Sequence, residues 1–217
     1  MPARVSEAFV LRTYPFQEGD LIVSFATRDQ GKLRGVAKRA RKPKGPFGST
    51  LERLSQVRIS YYQREGAELV RIDSVELMQT QFGLSSSYEA GVALDYFAEV
   101  CDHLLPPSEP NERFYRLIGA VLAELRAAAP DQKPAAVWRT IMYFTFWAVR
   151  LSGFLPELRV SAASRELAQA MAAHPVANLA AIDWTKETAA DLRRFLYREI
   201  ESHIERKLLT VPLMEAL

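Results

Sequence analysis

The apolar positions of this chain change period once. Up to about residue 79 they alternate. Leu21, Val23 and Phe25 stand against Ile22, Ser24 and Ala26, and Val57, Ile59 and Tyr61 stand against Arg58, Ser60 and Tyr62. A period of two predicts half-buried β-strands, here Glu7–Thr13, Leu21–Thr27, Lys32–Lys38, Val57–Tyr62 and Leu69–Leu77. The stretches PFQEGD (15–20) and RDQG (28–31) are compact connections of the kind that close hairpins. In the last strand Val70 and Ile72 share a face that Val75 and Leu77 then take over, which predicts a bulge near Ser74. Five short strands with a long connection between the third and fourth match a Greek-key barrel of the OB type, with an SH3-like barrel as the rival.

Around Thr80–Ser87 the period becomes helical, and serines there offer an N-cap. Tyr88, Val92, Tyr96, Phe97, Val100 and Leu104 mark one helix, stopped by Pro106 and Pro107. Asn111 caps a second, which carries Phe114, Leu117, Ile118, Val121, Leu122 and Leu125. The third, Pro134 to Leu151, is apolar nearly all round and therefore belongs at the centre of a bundle. A weaker helix spans Ser161–Ala173. The last opens at Asp183 or Thr185 and buries Leu192, Phe195, Leu196, Ile200, Ile204 and Leu208. The expected architecture is α+β in two domains: an N-terminal five-stranded OB-fold barrel over residues 1–80 and an α-helical bundle over 81–217.

Charge sharpens that division. The formal net charge of +2 conceals an asymmetry: residues 1–80 hold 14 Lys and Arg against 9 Asp and Glu, while residues 81–217 hold 14 against 17. The barrel is the polyanion-facing part. Its excess is concentrated between Lys32 and Lys44, where seven of thirteen residues are basic, and no acid occurs between Gly31 and Leu51. Strand phase puts Lys32, Arg34, Val36 and Lys38 on the outer face and Leu33, Gly35 and Ala37 inside. Lys38, Arg39, Arg41, Lys42 and Lys44 continue into a loop whose Pro43, Gly45, Pro46 and Gly48 favour extended, mobile backbone. Phe47 in that loop either stacks on a base or plugs the barrel. Arg53 and Arg58 follow. A second basic cluster, Arg193, Arg194 and Arg198, falls on the polar face of the last helix, interleaved with Glu199, Glu201 and Glu205 that can pair with it. Such a pattern predicts backbone-led, salt-sensitive binding to nucleic acid.

Catalysis finds little to hold. No phosphate loop of the GxxxxGK[ST] type occurs, and His103, His174 and His203 sit in separate helical segments, His203 on an apolar stripe. The single Cys101 excludes an internal disulfide and any multi-cysteine zinc site, and its apolar setting predicts a buried thiol. No metal ligand set, cofactor site or enzyme activity is expected. The start of the chain lacks the apolar core of a signal peptide, and no apolar run reaches the roughly 18 residues of a membrane span. A cytoplasmic protein without membrane partners is expected.

The order of these features resembles the RecO family of bacterial DNA repair and recombination-mediator proteins. The resemblance is carried by GKLRGVAKRARKPKGPFGSTLERLSQVRISYY in the barrel and LRRFLYREIESHIERKLLTVPLM near the end. It implies a non-enzymatic, nucleoid-associated protein that binds single- and double-stranded DNA without sequence preference and anneals complementary strands. It further implies that, with RecR, the protein helps load RecA onto DNA coated by single-stranded DNA-binding protein (SSB), whose C-terminal tail it contacts. By position it assigns DNA binding to Lys32, Arg34, Lys38, Arg39, Arg41, Lys42 and Lys44. Many members carry a four-cysteine zinc site after a G-x-x-P-x-L segment. Here Gly153–Leu158 matches the lead-in, but the segment around 156–175 has no cysteine. Rival readings are an OB-fold RNA-binding factor and a protein-interaction adaptor.

Overall fold

A computed structural model describes residues 3–42, 45–64, 66–84 and 86–217 as two compact units. One comprises Met1–Gly83 with Cys101–Tyr115, the other Leu84–Val100 with Arg116–Leu217.

The first unit is a closed barrel of β1 (Arg4–Phe16), β2 (Asp20–Thr27), β3 (Gly31–Ala37), β4 (Gln56–Tyr62) and β5 (Val70–Gln79), in the order β1-β2-β3-β5-β4. The long β1 closes it, pairing with β4 from Arg4 to Phe9 and with β2 from Ala8 to Phe16. The register of β4 against β5 jumps from Ser60–Ser74 to Tyr61–Ile72, so the expected bulge falls beside Ser74, at Asp73. The inward residues, among them Val23, Phe25, Leu33, Val57, Ile59, Tyr61, Val70 and Ile72, form one core. Each such burial contributes about 1.5–3 kcal/mol. Val75 keeps to this core, whereas Leu77 is exposed. Gly35 is the tightest point. A Cβ there would lie 2.7 Å from Val70 Cγ2 and 2.8 Å from Ile72 Cγ1, so only glycine lets β3 and β5 pair across the narrow barrel.

The segment Cys101–Tyr115 covers part of this barrel. Asp102 accepts hydrogen bonds from Tyr14 Oη (3.0 Å) and Ser24 Oγ (2.6 Å), Ser108 N–H bonds Lys32 O, and Tyr115 packs its ring 4.8 Å from that of Phe9. Gly31, at φ +70°, passes so close to Glu109 that a Cβ would strike its carbonyl. Cys101 is fully buried, and burial, then the neighbouring Asp102, raises its thiol pKa well above the usual range.

The second unit is helical, and α1 (Tyr88–Leu104) and α2 (Glu112–Ala127) each have a turn counted with the first. Ser87 Oγ caps α1 and Asn111 Oδ1 caps α2. Helix α3 (Lys133–Leu151) is buried over most of its surface and packs against α4 (Ala162–Ala173) and α5 (Ala190–His203). The short α6 (Val211–Glu215) ends the chain. Helix α5 starts later than its periodicity predicts. Thr188 Oγ1 donates to Asp183 O and accepts from Thr185 N–H, closing a turn, and Ala189 is left-handed. Threonine hydroxyls thus take the backbone groups a helix needs. At its other end Glu205 is left-handed and Arg206 N–H reaches Glu201 O, a Schellman stop, so Leu208 is buried outside the helix. His203 is exposed, its ring stacked 3.9 Å over Phe154 rather than buried in a core.

Candidate nucleic-acid interface

Strand register lays the outward side chains of the barrel in rows. One row runs Arg12 (β1), Ser24 (β2), Arg34 (β3). The next runs Tyr14, Ile22, Val36, Arg71, Tyr62 across all five strands. Where the two meet, the Tyr14 ring has two guanidinium groups close to it, Arg12 at 5.8 Å and Arg34 at 5.5 Å from its centre. These arrangements are cation–π pairs of about 0.5–1 kcal/mol at a wet site. They hold both charges at the surface without neutralising them. Burial, then the Asp102 carboxylate, raises the Tyr14 phenol's pKa, so it stays a neutral donor.

The predicted basic residues divide by location. Arg34 and Lys38 are exposed on and just beyond β3, as the alternation requires. Lys32 faces outward but is not free: its Nζ donates to the Asp102 carbonyl, and burial lowers its pKa below the lysine range. It fastens the 101–115 segment to the barrel. Beyond β3 the chain does not run as an extended arm. Arg39 is left-handed, its N–H donates to Asp20 Oδ1 (2.7 Å), Arg41 N–H donates to Gly19 O (3.0 Å), and Gly45 N–H reaches Lys42 O. The turn is pinned to the β1–β2 hairpin, and Arg39, Arg41 and Lys42 all project to solvent from it. Lys44 lies outside the described residues.

Phe47 is 3% exposed and belongs to the barrel core with Leu51, so it is a plug and not a stacking platform. Arg53 is exposed before β4, outside the two rows, and Arg58 pairs with Glu76 at 3.2 Å. The second basic cluster also breaks up. Arg194 and Arg198 are exposed on α5, but Arg193 is fully buried, its guanidinium 4.7 Å over the Trp138 ring and bonded to Lys186 O and Glu215. It is a structural cation.

Sequence reasoning missed Arg12, Tyr14, Tyr62 and Arg71. The alternation already set Tyr62 outward, but only the pairing of β3 with β5 brings Arg71 beside Val36. Near them lies a groove of about 670 Å³ whose walls include Phe16, Val36, Lys38, Tyr62, Arg64 and Arg71. Among the described residues no group of three or more His, Cys, Asp or Glu is placed to hold a metal ion. No helix among them is long and apolar enough to cross a membrane.

Residues 1–81 match the family model for the recombination protein O N-terminal region, and residues 85–167 match that for its C-terminal region. The chain is 39% identical over 246 residues to the DNA repair protein RecO of Koribacter versatilis, covering 98% of both. It is 30% identical over 149 residues to RecO of Anaeromyxobacter dehalogenans, with 69% of this chain and 56% of that protein covered. It is 31% identical over 160 residues to RecO of Cutibacterium acnes, with 73% and 64% covered. The chain thus spans nearly the whole of the first relative and less than two thirds of the other two. By these matches the chain belongs to the RecO family of DNA repair proteins.

Proposed function

We propose that this chain is a recombination mediator that binds single- and double-stranded DNA without sequence preference through its barrel. In this reading it anneals complementary strands and, with RecR, helps RecA onto DNA coated by SSB, whose tail it contacts, and it works in the cytoplasm on the nucleoid without catalysing a reaction. The observation that carries the DNA-binding part is the exposed set Arg12, Arg34, Lys38, Arg39, Arg41 and Lys42, gathered by register and by the pinned turn onto neighbouring surface of one barrel. Backbone phosphates match such a set because each neutralised phosphate releases condensed counterions. Nothing in it is built to read base edges in a groove, so affinity should track salt and length rather than sequence.

The test is fluorescence anisotropy with mixed-sequence oligonucleotides between about 50 and 200 mM salt. Six contacts on a single strand give a log–log slope near −4, at about −0.7 per phosphate. Replacing Arg39, Arg41 and Lys42 with Ala should reduce its magnitude by about 2 and slow strand annealing in parallel. Unchanged slope and affinity in that triple variant would remove the turn from the interface.

A further inference from the structure

We infer that the groove beside Tyr62 is a subsite for one unpaired nucleotide, holding its base against the barrel wall and its phosphate among the rim cations. This rests on the DNA-binding reading above and extends it to residues that reading does not use. The groove's volume, about 670 Å³, suits a small planar group with its sugar and phosphate. Its wall is apolar and partly aromatic, with Phe16, Val36 and Tyr62 all half-exposed. Its rim carries Lys38, Arg64 and Arg71, none of them in an ion pair among the described residues. The carboxylate that also lines it, Asp20, is already accepting from Arg39 N–H.

Two observations choose a nucleotide over an acidic peptide. First, Arg71 is paired directly opposite Tyr62 and holds its guanidinium 5.9 Å from the ring centre, a flat cation beside a flat ring. Bases stack on both kinds of surface. Second, the groove is not isolated. The row Tyr14, Ile22, Val36, Arg71, Tyr62 joins it strand by strand to the Arg12–Arg34 face. At roughly 4.8 Å between strands, Val36 and Tyr62 stand about 10 Å apart around the wall. A polyanion longer than the groove can therefore continue onto the face, whereas a short peptide would use the groove alone. A base inside a duplex is stacked on its neighbours and cannot enter. The groove accordingly selects single strands, one base held while its neighbours stay free to pair.

The test compares three ligands of equal length: a single-stranded oligothymidylate, the same sugar–phosphate chain with abasic residues, and a duplex. Loss of one base–aromatic stack amounts to roughly 5- to 150-fold in affinity. Tyr62→Ala should lose that much on the oligothymidylate and under about 2-fold on the abasic chain, while Tyr62→Trp restores binding. Equal losses on all three ligands, or no loss on any, would overturn the subsite. So would an acidic peptide with an apolar end that competes for the groove and itself depends on Tyr62. Thermal unfolding of both variants guards against a barrel that simply fails to fold, and Arg64→Gln with Arg71→Gln supplies a milder pair for the same comparison. If the Arg39, Arg41 and Lys42 variant weakens all three ligands while Tyr62→Ala changes nothing, the groove falls and the DNA-binding reading stands. If neither variant alters binding, both fall.

Discussion

Replacing Arg193 with alanine removes a cation from the interior of the helical unit, and its cost can be assembled from what the guanidinium touches. Its side chain is 1% exposed. Nη1 donates to Lys186 O at 2.5 Å, and Nε and Nη2 share Glu215 Oε1 at 3.4 Å. The short bond, with a charged donor, is worth about 1.5–3 kcal/mol. The face of Trp138, 4.7 Å away and desolvated, adds about 2 kcal/mol. Glu215 is 36% exposed and regains water when its partner goes, so its loss is smaller. The sum, about 3–5 kcal/mol, matches what breaking a buried ion pair usually costs. At roughly 2–4 °C per kcal/mol, the transition should fall by about 6–20 °C. Tryptophan fluorescence isolates the effect, because Trp138, Trp147 and Trp184 all belong to the helical unit and the barrel has none. Arg193→Met keeps the apolar stem against Trp138 and should recover part of the loss. Arg194→Ala and Arg198→Ala, at exposed sites, should stay within about 0.5 kcal/mol of the parent. A loss below about 1 kcal/mol in Arg193→Ala, together with a DNA salt slope flattened by about 0.7, would refute the buried role and return the residue to a phosphate-facing patch.

Two further predictions concern one position in each unit. Gly35→Ala forces a methyl group into Val70 and Ile72 at under 3 Å, so the barrel should lose about 1–3 kcal/mol in urea unfolding, and Gly35→Val more; a neutral alanine would show that β3 and β5 do not approach as described. Asp191 joins α4 to α5, accepting from Ser161 N–H (2.7 Å) and Ser164 Oγ (2.5 Å). Burial pushes its carboxyl up, but these donors outweigh it and bring its pKa from 3.8 down to about 2. Because the folded value is depressed, the contribution is complete above the unfolded value near 4 and disappears as pH falls towards 2. Asp191→Asn should lower stability at neutral pH and flatten its decline between pH 4 and 2; an unchanged acid profile would remove the carboxylate from that role.

Much of this architecture was legible from period alone. Alternation put every strand within three residues of its observed ends, and the Ser74 phase change marked a real bulge. Helices α1 to α4 follow their caps and prolines. The misplaced start of α5 has a local cause: Thr185 and Thr188 are ordinary residues in a helical period, and only their hydroxyl bonds to Asp183 and to the backbone show that they close a turn instead. Arg193 was illegible for a different reason. On the α5 wheel it follows Leu192 and precedes an exposed Arg194, so it sits at the margin of the apolar face. What buries it is Trp138 from another helix and Glu215 from the chain's end. A single helix's periodicity contains neither.

The basic run Lys32–Lys42 shows where such reading stops and why. Strand phase correctly assigns Lys32, Arg34 and Lys38 to the outer face, because pleating alone decides inward against outward. It cannot decide which outward positions stay wet. On this barrel that is settled some seventy residues later, when the last turn of α1 lays Asp102 over Tyr14 and Ser24 and takes the Lys32 ammonium as a fastener. The same turn that withdraws Lys32 also orients Tyr14, whose ring has Arg12 and Arg34 within 6 Å of its centre. One cation is spent on structure and two are displayed by it. The net positive charge of the run therefore overstates its own share of the exposed basic surface, and understates what the barrel supplies from elsewhere. Arg12, Arg64 and Arg71 lie outside the run entirely, yet register and groove walls bring them to the same exposed surface. Counting charges along the chain locates the domain with the basic excess. Which of those charges share one exposed surface is a property of strand order.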